Sequence, residues 1–242
     1  MKRFSKLLTI SLCALLALPT VVMAEEGEGV KLYLMRHGQT LFNQKEVAQG
    51  WCDSPLTALG VLQAQQAGAG LADVTFSAAY SSVSERALDT CNEVLAQNAT
   101  SSELTPIIDE GLKEMNFGTL EGESNVALWS PDFMTRWQEG FTEFGGETTQ
   151  ETTDRAMASL KAIAESNEGN VLVTSHGITV MLVATAVDPA KAGEFMATSG
   201  GGLGNCSVTI INYKDGEFTL ESIGDESYRI NGEAILAEAT EE

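Results

Sequence analysis

The stretch VKLYLMRHG, residues 30–38, decides how this chain is read. Val30 to Met35 is apolar and short, as a buried strand is, and it runs straight into Arg36-His37-Gly38. The stretch VLVTSHG, residues 171–177, repeats the arrangement: an apolar run, Ser175, then His176-Gly177. These are the only two histidines in the chain. In α/β sheets ligands bind at the carboxyl ends of parallel strands, where both histidines would sit. A glycine after each permits a sharp turn and lets backbone N–H groups come close to an anion. Two histidines in the same local frame point to one shared site.

Working outward, strand-like runs alternate with helix-like ones. Thr57 to Leu71 reads as a helix opening after Pro55, and Ala78 to Ser81 as a short strand followed by a helix from about Ser84 to Gln97. Thr148 to Ser166 carries Ala156, Leu160, Ile163 and Ala164 at helical spacing, and Ile178 to Ala186 reads as a buried helix. Ser207 to Tyr213 and Glu217 to Ile223, joined by Lys214-Asp215-Gly216, form a hairpin signal. This rhythm predicts an α/β fold, a three-layer α/β/α sandwich on a mostly parallel central sheet. Residues from Leu112 to Gly146 break the rhythm with Trp129, Phe133, Trp137, Phe141 and Phe144 among glycines and acids. They are expected to form an insertion of short helices, a lid over about 115–147. The acidic tail after Ile230 is expected to fray.

Composition narrows the function. The chain has 242 residues, 43% of them hydrophobic, enough for one domain with a sizeable core. Its 14 Lys+Arg against 34 Asp+Glu give a net charge of -20. No basic cluster exists to hold a nucleic-acid backbone, which excludes that partner. Residues 1–24 read as a signal peptide: Lys2, Arg3 and Lys6 lead an apolar run to Val22-Met23-Ala24, whose small residues suit signal peptidase. The expectation is export, periplasmic or extracellular, with a mature chain over 25–242 and no stable membrane insertion after cleavage. An uncleaved membrane anchor is the alternative, since the apolar run approaches spanning length. Cys13 leaves with the leader, so Cys52, Cys91 and Cys206 remain, an odd number: at least one is free or pairs between chains, and spacing does not say which. No Cys-x-x-Cys pair or His/Cys cluster suggests a metal.

The run Arg36-His37-Gly38-Gln39-Thr40-Leu41-Phe42-Asn43 resembles the signature of the histidine phosphatase superfamily, in its phosphoglycerate mutase-like branch. Further elements follow in that family's order. Gly50 to Gly60 (GWCDSPLTALG) is similar to its second motif, and Ser81 to Thr90 (SSVSERALDT) to the segment that supplies a second phosphate-binding arginine. Leu112-Lys113-Glu114, with Phe117-Gly118 and Leu120-Glu121-Gly122, resembles its acid segment. Ser175-His176-Gly177 and Asn205-Cys206-Ser207-Val208 complete the set, which covers essentially residues 30–215. Six ordered elements are specific where a lone Arg-His-Gly is not.

The resemblance implies a phosphoglycerate mutase-like fold and phosphoryl transfer through a phosphohistidine on His37, without metal or other cofactor. Arg36 and Arg86 offer planar forks suited to phosphate oxygens. His176 would stabilise charge on the transferring group, and Glu114 would protonate the leaving alkoxide and then deprotonate water. That role asks for a carboxyl shielded by the aromatic insertion. Asn43, the Gly177 amide and Thr40 are further candidate phosphate donors. Phosphoglycerate mutases carry extra basic residues after the acid segment. This chain has no Lys or Arg between Glu114 and Arg136, which favours hydrolysis of a small phosphorylated substrate over mutase chemistry. A mutase, or a non-catalytic module binding phospho-ligands, are the competing readings. Oligomeric state is not legible.

Overall fold

The structure, a computed structural model, describes residues 29–128, 136, 138–200 and 202–239. The expected leader over 1–24 lies outside the described residues, as do Trp129, Phe133 and Trp137 of the aromatic segment. Six strands make one sheet: β1 (Val30–Arg36), β2 (Phe76–Ser82), β3 (Ile107–Asp109), β4 (Gly169–Ser175), β5 (Val208–Lys214) and β6 (Glu217–Asp225). Their order is β3-β2-β4-β1-β5-β6. β1 runs parallel to β4, and β2 parallel to both β4 and β3, while β5 and β6 close one edge as an antiparallel hairpin. The sheet is mostly parallel, as the alternation of elements predicts.

Register fixes the functional end. Arg36 pairs with Ser175 across β1 and β4, and the His37 amide donates to the Ser175 carbonyl at 3.0 Å. The two histidines therefore leave adjacent strands at the same level. Side chains alternate between the sheet's two faces. Leu32, Leu34, Val171, Val173 and Ile211 pack under α5 (Thr149–Glu165) and α6 (Gly177–Val187). Tyr33, Met35, Leu172 and Ile210 pack under α2 (Ala58–Gly70) and α3 (Glu85–Gln97). The result is a three-layer α/β/α sandwich. α5 starts on a capping box, with the Thr148 hydroxyl and the Glu151 carboxylate each accepting from the other's amide.

Several elements depart from the sequence expectation. The tail does not fray where expected: α8 (Ser227–Ala239) is a helix packed on α2. The contact is made by glycines. A Cβ on Gly232 would lie 1.7 Å from the Gln66 carbonyl oxygen, and one on Gly70 only 1.8 Å from that of Tyr228. Glycine adds nothing to an apolar stripe, so the pattern concealed the interface. Short α1 (Leu41–Gln44) and α7 (Pro189–Thr198) were also unforeseen. The latter has ordinary start signals, Asp188 capping the Lys191 amide and Pro189 in the first turn.

The segment between β3 and α5 holds 3-10 turns at 110–112, 118–120 and 142–144 and the short helix α4 (Asn125–Leu128). Met115, Phe117, Leu128 and Phe141 form a satellite core with Leu182 of α6, the rings of Phe117 and Phe141 meeting edge to face. Cys52, Cys91 and Cys206 are all free thiols.

Candidate active site at the ends of β1 and β4

His37 is 4% exposed, and its Nδ1–H donates to the Gly38 carbonyl at 2.8 Å. That bond fixes the tautomer and leaves the lone pair on Nε2, the arrangement a nitrogen nucleophile needs. Burial depresses its pKa well below 6.5, with the charges of Arg86 and then Arg36 adding to the effect, so the ring is neutral. His176 is fully buried, its ring 5.4 Å from that of His37. Its Nε2 shares a 2.8 Å hydrogen bond with the Ser82 hydroxyl, and its Nδ1 has no partner among the described residues. Burial, then Arg86, then His37 lower its pKa well below 6.5 as well.

Gly38 has a steric cause different from the expected turn: a Cβ there would lie 2.4 Å from the Gly60 carbonyl at the start of α2. Its amide donates to Thr90. Arg36 donates through Nη1 to the Leu203 carbonyl, and its Nε is buried without a partner among the described residues. Arg86 is fully buried and turned onto the loop before α2. It donates to the carbonyls of Gly50 and Cys52 and pairs with Asp53 at 2.8 Å, leaving Nε unpartnered among the described residues. Its charge is close enough to act on both histidines.

Glu114 is 6% exposed and caps α6, the helix that His176-Gly177 begins. Its oxygens accept from the amides of Ile178 (3.1 Å) and Thr179 (3.0 Å), from the Thr179 hydroxyl (3.0 Å) and from the Met115 amide (2.9 Å). The carboxyl group thus stands at the positive end of the helix dipole. Glu114 is buried, but its hydrogen-bonding contacts are four donors, and Trp129, Phe133 and Trp137 of the insertion expected to shield it lie outside the described residues. Arg155 clamps the segment that presents it, donating to the carbonyls of Gly111, Lys113 and Glu114 while paired with Glu147 at 2.8 Å.

Arg36, His37, Asn43, Glu114 and Gly177 are brought together on the wall of one cavity of about 580 Å³. Arg86, His176 and Thr40 are not on that wall. Thr40 is fully buried; its hydroxyl caps α1 by accepting from the Asn43 amide and donates to Gln49. The Asn43 side chain completes that capping box and also accepts from Asn205. Asn205 and Thr179 are the positioning residues that sequence reasoning missed. Asn205 donates to the His37 carbonyl at 2.9 Å, and Thr179 holds Glu114 from the third position of α6. Asn205 opens one of the quoted motifs and Thr179 follows another by two residues, so the available signal was place in the motifs, without a role attached. Among the described residues no group of three or more His, Cys, Asp or Glu is placed to hold a metal ion.

Relatives share this architecture. The profile of the histidine phosphatase superfamily (branch 1) matches residues 32–226. A protein of Salmonella choleraesuis described as "Probable phosphoglycerate mutase GpmB" is 33% identical over 213 residues, which cover 82% of this chain and 94% of that protein. The solved phosphoglycerate mutase from Bacillus anthracis is 34% identical, with a TM-score of 0.77, covering 86% of this chain and 98% of its own. The α-ribazole phosphatase from Shigella flexneri is 27% identical, with a TM-score of 0.67, covering 81% and 96%. Mutases and phosphatases thus share the fold, and by the extent of these matches the chain belongs to the histidine phosphatase superfamily.

Proposed function

We propose that the chain is a metal-independent phosphomonoesterase, working through a phosphohistidine on His37 and exported by cleavage of residues 1–24. The observation that carries the reading is the His37 ring: neutral, fixed by the Gly38 carbonyl, on a cavity wall beside Arg36 and Glu114. In the first step Nε2 attacks phosphorus, the P–O bond to the alcohol breaks, and Glu114 delivers its proton to the leaving oxygen. In the second, water attacks phosphorus, Glu114 takes its proton, and the P–N bond breaks to release phosphate. Splitting the transfer replaces one hard step by two easier ones. Arg36, Arg86, His176, Asn43 and the Gly177 amide supply the positive charge and dipoles that a transferring phosphoryl group requires.

Mutase chemistry is the second reading, favoured by the descriptions of the Salmonella and Bacillus relatives. Against it, Arg36 is the only cation among the described residues of the cavity wall, so nothing there pairs with a second anionic group on a substrate. The test is incubation of the purified protein with aryl and alkyl phosphates, with trapping of an acid-labile phosphoenzyme. Phosphate release that needs no bisphosphorylated activator is expected. Isomerisation of phosphoglycerate in place of phosphate release would make it a mutase, and phosphate binding with no turnover a binding module. Secretion followed by N-terminal sequencing should find Glu25 as the first residue.

A further inference from the structure

Beyond the reacting groups, the described residues of the cavity wall are mostly hydrocarbon and thioether. Phe117, Leu128, Ile178, Met181, Met196 and Leu203 line it, and the neutral Gln49 and Asn125 are its polar members outside the phosphate end. Arg36 and Glu114 are the only charged residues among those described on the wall. The wall is held by two buried clusters: Phe117 and Leu128 belong to the satellite core, Met181 and Leu203 to the core under α5 and α6. Its volume of about 580 Å³ lies within the range of sites that enclose ligands much larger than a three-carbon acid. The sequence between Glu114 and Arg136, which supplies Phe117 and Leu128, contains no Lys or Arg at all.

We infer that the substrate of this site is the phosphate monoester of an apolar alcohol or phenol, with its hydrocarbon part seated on the wall of Phe117, Leu128, Met181 and Met196. The inference rests on the phosphatase reading. A sugar or hydroxy-acid monoester would leave most of its hydroxyls or its carboxylate facing apolar side chains and the Glu114 carboxyl, with Asn125 and the already bonded Gln49 too few to replace the hydrogen bonds lost to water. An apolar group gains about 0.8 kcal/mol for each methylene removed from water, and unbranched methionines adapt to its shape.

The decisive comparison is hexyl against ethyl phosphate, whose leaving alkoxides are chemically alike so that only chain length differs. The expected kcat/KM ratio is between about 10 and 200, the upper figure being four methylenes fully buried. Phosphoserine and 3-phosphoglycerate should fall below ethyl phosphate. Met196→Gln should pull the hexyl-to-ethyl ratio below about 3. A ratio near one, a preference for the charged esters, or a preference that survives Met196→Gln each overturns the assignment.

Binding of hexyl- and ethylphosphonate, measured by calorimetry on the wild-type protein, reads the same wall without turnover. Chain-length-dependent affinity without any ester hydrolysis would remove the phosphatase reading and keep the apolar wall. Hydrolysis with no dependence on chain length would do the reverse. If Met196→Gln fails to fold, the phosphonate series decides alone.

Discussion

The two histidine turns are near copies in sequence and opposites in structure. After β1, His37 binds its own loop through Nδ1 and offers Nε2; after β4, His176 binds Ser82 through Nε2 and keeps Nδ1 unpartnered among the described residues. Gly38 lies against the backbone of α2, whereas a Cβ on Gly177 would come no closer than 3.4 Å to any atom beyond its chain neighbours and its own helix backbone, the nearest being Arg36 Nε. One turn feeds an extended loop, and the other starts a helix whose first amides are held by Glu114. A shared motif thus places two rings 5.4 Å apart but gives them different free nitrogens. Under the proposed mechanism the difference suits His37 to attack and His176 to charge stabilisation.

The largest effect should come from removing the nucleophile. His37→Ala is expected to lower phosphate release to background, a fall of more than about 10⁴, and to abolish the acid-labile phosphoenzyme. His176→Ala keeps the nucleophile and should cost kcat roughly 10² to 10³, the usual range for losing one group that stabilises developing charge. If the two losses are equal and neither variant forms a phosphoenzyme, the contrast between the turns is broken. Glu114→Gln should reduce kcat by about 10² with alkyl phosphates and markedly less with aryl phosphates, whose leaving groups need no proton. Equal losses on both would leave Glu114 as a helix cap only.

Both histidines have folded-state pKa values depressed below 6.5, so the unfolded chain takes up their protons first as pH falls. Their contribution to stability is present above 6.5 and weakens below it, by roughly a kcal/mol per histidine per pH unit until the folded values are reached. Denaturant midpoints between pH 7 and 5 should fall accordingly and fall less in His176→Ala. The smallest contrast is steric. Gly38→Ala should cost about 2 kcal/mol, seen as a melting point lowered by about 5 °C. Gly177→Ala, at a helix start with room for a methyl, should stay within about 0.5 kcal/mol of wild type. Equal melting points would refute the separate origins of the two glycines.

The elements that the sequence made legible are those whose side chains carry the period of their own backbone. β1 and β4 are apolar runs bounded by polar residues, and α5 shows both its apolar stripe and its cap. What stayed hidden depended on contacts that no local pattern encodes. The three residues of β3 include Ile107 and Ile108, both exposed, so no buried period marks them. α8 is held by glycine-to-backbone contact, and Thr40 by a capping box that removes its hydroxyl from the cavity. In the site, residue identities could be read from motifs, while the hydrogen bonds that assign each ring nitrogen required the packed structure. Arg86 illustrates the gap: its charge bears on both histidines, yet its donors are mostly committed to Gly50, Cys52 and Asp53.

One consequence concerns how force and damage travel through the molecule. α2 touches the loop of His37 at one end, through Gly60 against Gly38, and is braced at the other by α8, through Gly70 against Tyr228 and Gly232 against Gln66. The helix behaves as a strut between α8 and the His37 loop, with a glycine seated on backbone at both joints. A fusion after Ala239 leaves the brace intact. Deleting residues 227–239 should loosen the strut and, under the proposed mechanism, lower activity without altering any residue of the candidate site.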